Sequence, residues 1–500
     1  MHSSVLFSPL ELYFFSFMLI FASVPFFRKA YIESSELYPG DVMTLDYFFK
    51  PKAIAVIGAS NDPLKLGYEV FKNLKDYKDG KVYPVNVKDE VVQGVKAYKN
   101  VKDIPDDVDL AVVVVPKRFV KQTIIDCGEK GVKGVILITA GFGEVGEEGK
   151  KEERELVEIA HRYGMRIVGP NCVGIMNTHN DMNATFVMDA KKGDIAFISQ
   201  SGALGAGIIY KTVKEGIGFS KFVSIGNMAD VDFAEFMEYL ADTEEDRAIA
   251  LYIEGLKNGR AFMEVAKRVT KKKPVIVLKA GKSESGARAA SSHTGSLAGS
   301  YRIYEAAFKQ SGIIVADTID DMLSMARAFT QLLPKGRRVA IMTNAGGPGV
   351  LTADEIDKRG LKLADLEEET IEGLRSFLPP MAAVKNPVDM IASARGEDYY
   401  KTAKLLLEDP NVDMLISICV VPTFAGMTPT EHAEGIIKAV KEVNNRKPVL
   451  ALFMAGYVSE KAKEILEANG IPSYERPEDV AAGAYALVEF ARAKGVLKEE

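Results

Sequence analysis

The sequence predicts an α/β protein of three domains, each built on a mainly parallel sheet. Three observations carry this prediction. Short apolar runs alternate with longer amphipathic stretches along most of the chain, which is the pattern of repeated strand and helix units. The runs are apolar at almost every position, as strands covered by helices on both faces must be. One figure, a strand running into a small-residue loop and then a helix, opens each of three successive regions.

In the first region, residues 43–180, the expected strands are "AIAVIGA" (53–59), "KVYPVNV" (81–87), "LAVVVVP" (110–116), "GVILITAGF" (134–142) and "RIVGPNCVG" (166–174). Amphipathic segments such as "YEVFKNLKDY" and "EERELVEIAHRYG" lie between them and are expected to be helices. The second region, 181–330, contributes "DIAFISQSGALGAGI" (194–208), "FVSIGNMADV" (222–231), "AIALYIEGL" (248–256) and "KPVIVLKAGKS" (273–283). The third, 331–500, contributes "RRVAIMTNAGGPGVL" (337–351), "DMLISICVVP" (413–422) and "KPVLALFMAG" (447–456). The joints are expected near 178–190 and 320–336, and no short-period repeat points to a solenoid. Five hundred residues are enough for about three cores of ordinary size.

Residues 1–42 break the pattern. Leu12 to Phe27 is a stretch of 16 uncharged residues, shorter than the roughly 20 that cross a bilayer. Arg28 and Lys29 follow it, but no cluster of positive charge precedes it as in a signal peptide. Met43 opens "MTLDYFF" and reads as the start of a soluble domain, so the expectation is a mis-assigned upstream start that leaves residues 1–42 a doubtful apolar extension, with a membrane anchor and a cleaved signal as the alternatives.

The balance of 47% hydrophobic and 26% charged residues is that of an ordinary globular chain. A formal net charge of −6 argues against a nucleic-acid surface, which carries basic stripes. An anionic ligand would therefore need local positive potential. Cys127, Cys172 and Cys419 are far apart and unpaired in motif, so neither a disulfide framework nor a zinc site is expected. A reducing cytoplasm fits.

Three loops could hold phosphate: "VIGASNDPLKLG", "SQSGALGAG" and "TNAGGPG". Each would expose main-chain N–H groups at a helix N-terminus, where the dipole favours an anion. Each could equally serve only close packing of helix on strand. The first lacks a full GxGxxG, which counts against a hydride-transferring dehydrogenase. "KAGKS" (279–283) ends like a P-loop, but Ile276 stands where that motif needs its first glycine.

Among five histidines, His2 lies in the extension, His161 in a charged helix, His179 in an interdomain stretch and His432 at a polar helix start. His293 differs, because "ASSHTGSLAGS" (290–300) surrounds it with small residues whose hydroxyl and N–H groups could solvate a phosphoryl group. No second histidine or cysteine lies at metal-ligand spacing, and no GxSxG elbow supports a hydrolase. The residues alone leave a catalytic His293 and an inert loop histidine both open. A nucleophilic imidazole needs a carboxylate to orient it, and Glu254 in "ALYIEGL", at the end of a strand in the same domain, is the best candidate.

The ordered set "KPKAIAVIGAS", "GPNCVGIMNT", "FISQSGALGAG", "SIGNMADVDFAEFMEYL", "ALYIEGL", "SSHTGSLAG" and "TNAGGPGVLTAD" makes the chain from Met43 resemble the α subunit of ADP-forming acyl-CoA synthetases. This is the acetate–CoA ligase (ADP-forming) branch of the succinyl-CoA synthetase superfamily. The resemblance implies a Rossmann-like CoA-binding domain followed by two flavodoxin-like domains. It implies CoA contacts at Ser60, Asn61, Asp62, Pro63, Lys88, Val115, Pro116, Ile138, Thr139 and Ala140. Succinate-specific relatives carry a Glu where this chain has Ala140, which puts a dicarboxylate substrate in doubt. The resemblance further implies that His293 is transiently phosphorylated, that Glu254 supports it, and that helix N-termini at Ser201 and Gly202 and at Gly346 and Gly347 hold the phosphoryl group. CoA, ADP or ATP and phosphate are then substrates. A separate ATP-grasp β subunit would supply the nucleotide site and Mg²⁺ in an α₂β₂ assembly. A CoA- or nucleotide-sensing module without catalysis is the alternative.

Overall fold

The strand Ala53–Ile57 is buried at all five positions, as are Leu110–Val113 and Gly134–Leu137. Such strands need cover on both faces. In the computed structural model, which describes residues 45–294, 300–420, 426–444, 447–454 and 456–497, they lie at the heart of a parallel five-stranded sheet. Its order is Lys81–Val85, Ala53–Ile57, Leu110–Val113, Gly134–Leu137, Arg166–Val168. The helices Leu66–Leu74, Lys117–Lys130 and Glu147–Arg162 connect the strands. Glu147–Arg162 buries Gly149, Glu153, Leu156, Ile159 and Ala160, a spacing of three and four residues that makes one buried stripe, apolar but for Glu153.

The second sheet has seven strands. Five are parallel, in the order Ile314–Ala316, Val275–Lys279, Ala248–Ile253, Lys192–Ser199, Phe219–Ser224. The hairpin Gly174–Asn177 and Met182–Thr185 adds two antiparallel strands beside Phe219–Ser224. The run 166–174, expected as one strand, is therefore divided: Arg166–Val168 belongs to the first sheet and Gly174–Asn177 to the second. The break falls at Gly169, whose φ of +104° and close approach to the Leu137 carbonyl oxygen (2.5 Å from an added Cβ) exclude a side chain.

The third sheet runs Lys362–Leu363, Arg338–Thr343, Met414–Cys419, Val449–Phe453, Ser473–Tyr474, all parallel, with Val388–Asp389 also paired to Arg338–Thr343. The second and third sheets share one continuous core, which contains Phe197 and Ile276 together with Ile341 and Ile416. The helices Ile319–Ala328 and Pro477–Ala493 pack between them. Phe329 meets Phe490 edge to face at 5.5 Å.

All three parallel sets share one order: the first strand lies between the second and the third. The chain therefore leaves the first strand in opposite directions on its two sides, which opens a crevice beyond its C-terminal end. Those ends are Ile57, Ser199 and Thr343. The three small-residue loops read from the sequence are the loops that line these crevices.

Ion pairs join the first region to the second. Arg166 bonds Asp230 (2.9 Å) and Glu235 (2.8 Å), and His161 Nε2 lies 2.9 Å from Asp230. The hydrogen bond to Asp230 raises the His161 pKa above its ordinary value, against a smaller opposing effect of burial. Stability from this pair is present in full below about pH 6.5, the unfolded value, and is lost as pH rises through the folded one. The His161 side chain is half exposed, so the contribution is less than about 1 kcal/mol. Thermal unfolding of wild type and His161→Gln should accordingly show a small wild-type advantage on the acid side of neutrality that disappears in mild alkali.

The apolar extension, residues 1–42, lies outside the described residues. Among the described residues no helix is long and apolar enough to cross a membrane.

Candidate active site

The residues expected to touch CoA collect at the C-terminal ends of four adjacent strands of the first sheet. Ser60 is nearly buried, and its Oγ accepts from the Asp62 N–H (3.0 Å) to hold the turn after Ile57. Asn61 braces the neighbouring ribbon, donating to the Val91 carbonyl (2.9 Å) and accepting from Gln93 N–H (2.8 Å). Pro63 and Lys88 are exposed. Thr139 donates to the Val115 carbonyl (2.7 Å), which ties the loop Ile138–Ala140 to Val115 and Pro116. Leu64 and Val87, beside Pro63 and Lys88, are 93% and 77% exposed, apolar groups left uncovered at the same sheet edge. The turn itself is tight, since a Cβ on Gly67 would sit 1.9 Å from the Gly58 carbonyl oxygen.

Beyond Ala140 the first domain is latched to the second. Glu144 accepts from the Phe142 N–H (3.1 Å), and Asn227 donates to Glu144 (2.6 Å) and to Glu153 (2.9 Å).

In the second domain, Ser201 caps the helix Gly202–Glu215, its side chain accepting from Leu204 N–H (3.4 Å). The remaining N–H groups of that first turn have no partner within the helix. An added Cβ on Gly202 would lie 2.7 Å from Val173 Cγ2, so any larger residue there would make Val173 shift. Glu254 follows the neighbouring strand Ala248–Ile253 and is half-buried. The two loops are joined by Gln200, whose Oε1 accepts from Glu254 N–H (2.8 Å) and Gly255 N–H (3.0 Å). Tyr252 reports the setting: burial first, and the Glu254 charge second, push its phenol up to about 12.

His293 falls in the helix Glu284–Thr294, which begins after the next strand, Val275–Lys279. The expected loop around it is thus helical up to Thr294, because "ARAASS" is rich in alanine, the strongest helix former. The His293 side chain and residues 295–299 lie outside the described residues. Glu254, the Ser201 and Gly202 turn and the helix bearing His293 therefore all leave the same edge of one sheet. Lys282 of the P-loop look-alike pairs with Asp317 at 2.5 Å.

In the third domain the helix Gly346–Lys358 starts without a side-chain cap, and Gly346 and Gly347 are exposed. Asn344 steadies this turn, donating to the Val420 carbonyl (2.8 Å) and accepting from the Val420 N–H (2.9 Å).

Among the described residues, the remaining histidines have local bonding roles. His432 is fully buried against Cys419 (3.3 Å) and the Ala394 carbonyl (3.1 Å), and His179 meets the Gly193 carbonyl at 2.9 Å. All three cysteines are buried and free. Burial pushes the Cys172 and Cys419 thiols up to about 12, so neither is a nucleophile near neutral pH. Among the described residues no group of His, Cys, Asp and Glu could hold a metal ion.

Three successive, mainly parallel sheets, each with a small-residue loop at the C-terminal end of its first parallel strand, make up the described chain. Family models agree: a CoA binding domain matches residues 52–178, a succinyl-CoA ligase like flavodoxin domain 192–329 and a ligase-CoA domain 339–498. The chain is 83% identical over 451 residues to the α subunit of acetate–CoA ligase (ADP-forming) II of Pyrococcus furiosus, covering 90% of this chain and 99% of that one. Identity to the isoform I α subunit of that organism is 47% over 465 residues, 92% and 100% of the two chains. A solved protein of Pyrococcus horikoshii OT3 superposes with a TM-score of 0.85 at 79% identity, over 90% of this chain and 100% of that one. The dinucleotide-forming acetyl-coenzyme A synthetase 1 of Ca. Korarchaeum cryptofilum, in complex with phosphate and ADP, matches with 0.85 at 42%, over 90% and 98%. The chain belongs to the family of ADP-forming acetate–CoA ligase α subunits, within the succinyl-CoA synthetase superfamily.

Proposed function

We propose that the chain catalyses, with a separate β subunit, the reversible conversion of acetyl-CoA, ADP and phosphate into acetate, ATP and CoA. The observation that carries this reading is the clamp by Gln200, which ties the loop of Glu254 to the loop that leads into the helix N-terminus at Gly202, on the sheet edge that also launches the His293 helix.

CoA lies along the C-terminal edge of the first sheet, with Ser60 to Pro63, Val115, Pro116 and Ile138 to Ala140 as walls and Lys88 towards its nucleotide end. A phosphate oxygen attacks the thioester carbonyl carbon, the C–S bond breaks, and CoA leaves as thiolate and takes up a proton. Acetyl phosphate results. Neutral His293 then attacks phosphorus, the P–O bond to the acetyl group breaks, and acetate departs. Glu254 stabilises the positive charge that develops on the ring. N–H groups of Gly202, and of Gly346 and Gly347 from the third domain, hold the phosphoryl oxygens. Phosphohistidine finally passes the phosphoryl group to ADP, which the β subunit holds with Mg²⁺. The assembly is α₂β₂ and cytoplasmic.

Incubation of both subunits with radiolabelled phosphate and acetyl-CoA tests the route: acid-labile, base-stable label should appear on this chain. A CoA-sensing module would take up none. Glu254→Gln is expected to slow turnover about a hundredfold while label still accumulates; full turnover in that variant would remove Glu254 from the mechanism and leave the relay intact.

A further inference from the structure

The loop that begins at Glu254 is gripped from three sides. Gln200 takes the N–H groups of Glu254 and Gly255. Lys279 donates from Nζ to the Glu254 carbonyl oxygen (2.9 Å) and to the Ala280 carbonyl oxygen (2.6 Å). Tyr304 accepts the Leu256 N–H at its hydroxyl (3.4 Å), and its ring lies under the Lys279 ammonium, 4.6 Å from Nζ. These elements are not arbitrary in sequence. Lys279 ends the strand that leads to the His293 helix, and Tyr304 lies in Tyr301–Gln310, the next helix after it. The chain on both sides of His293 thus closes on the main chain of the loop 254–256, Lys279 at Glu254 and Tyr304 at Leu256.

Lys279 is only 6% exposed, and its hydrogen bonds go to carbonyl groups. Burying an ammonium on such partners is costly, and an apolar side chain of similar length would cost the fold little. Burial lowers the pKa of the ammonium, while the Glu254 charge opposes that shift. The cation is thus felt by Glu254 as well as bonded to its backbone.

We infer that Lys279 is a positioning residue for phosphoryl transfer: over the Tyr304 ring and opposite Gln200, it fixes the Glu254 main chain where the carboxylate can serve His293. This rests on the role proposed above for Glu254. Its effect should be on the transfer step alone, because the CoA residues stand on a different sheet.

Lys279→Met in the assembled two-subunit enzyme tests it, beside Glu254→Gln and the double variant. The expected result is a kcat for ATP formation reduced about tenfold with KM for acetyl-CoA unchanged. In the Glu254→Gln background, Lys279→Met should add less than about a twofold further loss, since both act through one group. Should Glu254→Gln itself turn over normally, the role of Glu254 falls and this inference with it. Should Glu254→Gln be slow but Lys279→Met retain wild-type kcat, or the two losses multiply in full, only the inference is overturned. Tyr304→Phe removes one hydroxyl and keeps the ring, which covers the case in which Lys279→Met does not fold. It should lower kcat about threefold at constant KM, and a wild-type kcat there would overturn the clamp.

Discussion

His293→Ala should separate the reaction into a half that survives and a half that is lost. Attack of phosphate on acetyl-CoA uses no imidazole in the proposed scheme, so CoA thiol should still be released in a first turnover and acetyl phosphate should accumulate. No label should remain on the chain, and ATP formation should fall by at least about a thousandfold, since loss of a covalent nucleophile is not compensated by its neighbours. Misfolding will not mimic this result. His293 is the penultimate residue of the helix Glu284–Thr294, and alanine favours a helix more than histidine does. Acid-labile label on the His293→Ala chain would overturn the relay.

Asp246→Ala should strongly destabilise the fold. Lys221 stands inside the strand Phe219–Ser224 and is buried, as is Asp246. The ammonium lies 3.0 and 2.9 Å from the two carboxylate oxygens, and Ser220 and Thr243 donate their hydroxyls to the same carboxylate. Without Asp246 the buried ammonium keeps, among the described residues, only Glu245 as an anionic partner, at 3.6 Å. Breaking a buried pair on one side costs about 3–5 kcal/mol, and Glu245 at that longer distance offsets only part of it. Chemical denaturation should show a loss of that size, and Lys221→Met combined with Asp246→Leu should recover most of it. Equal stability of the single and double variants would contradict this account.

Much of this architecture was legible in the chain because buried parallel strands announce themselves. "AIAVIGA", "LAVVVVP" and "KPVIVLKAGKS" are strands in the structure at Ala53–Ile57, Leu110–Val113 and Val275–Lys279. The edge strands Lys362–Leu363 and Ser473–Tyr474 were not legible, since two residues carry no period. The hairpin Gly174–Asn177 and Met182–Thr185 was missed for a different reason: its strands are short and buried at every position, so the polar Asn177, Asn183 and Thr185 stand inside and interrupt the apolar run that marks the other buried strands. The small-residue loops and Glu254 could be picked out by composition and position. Gln200, Lys279 and Tyr304 could not, because their bonds join segments 25 to 54 residues apart. Lys279 was hidden further by standing in a look-alike P-loop.

The same hairpin bears on how the chain can be divided. Phe219–Ser224 is buried at all six positions and would be an exposed, sticky border if its partner were removed, open to pairing with another molecule. The hairpin covers that border, and its own outer strand is covered in turn by the first domain, where Asn73 donates to the Thr185 and Val187 carbonyls (2.9 and 3.0 Å). A fragment starting at Lys192 would lose both layers of protection at once. It should self-associate through strand addition, whereas one beginning at Asp46 should stay dispersed.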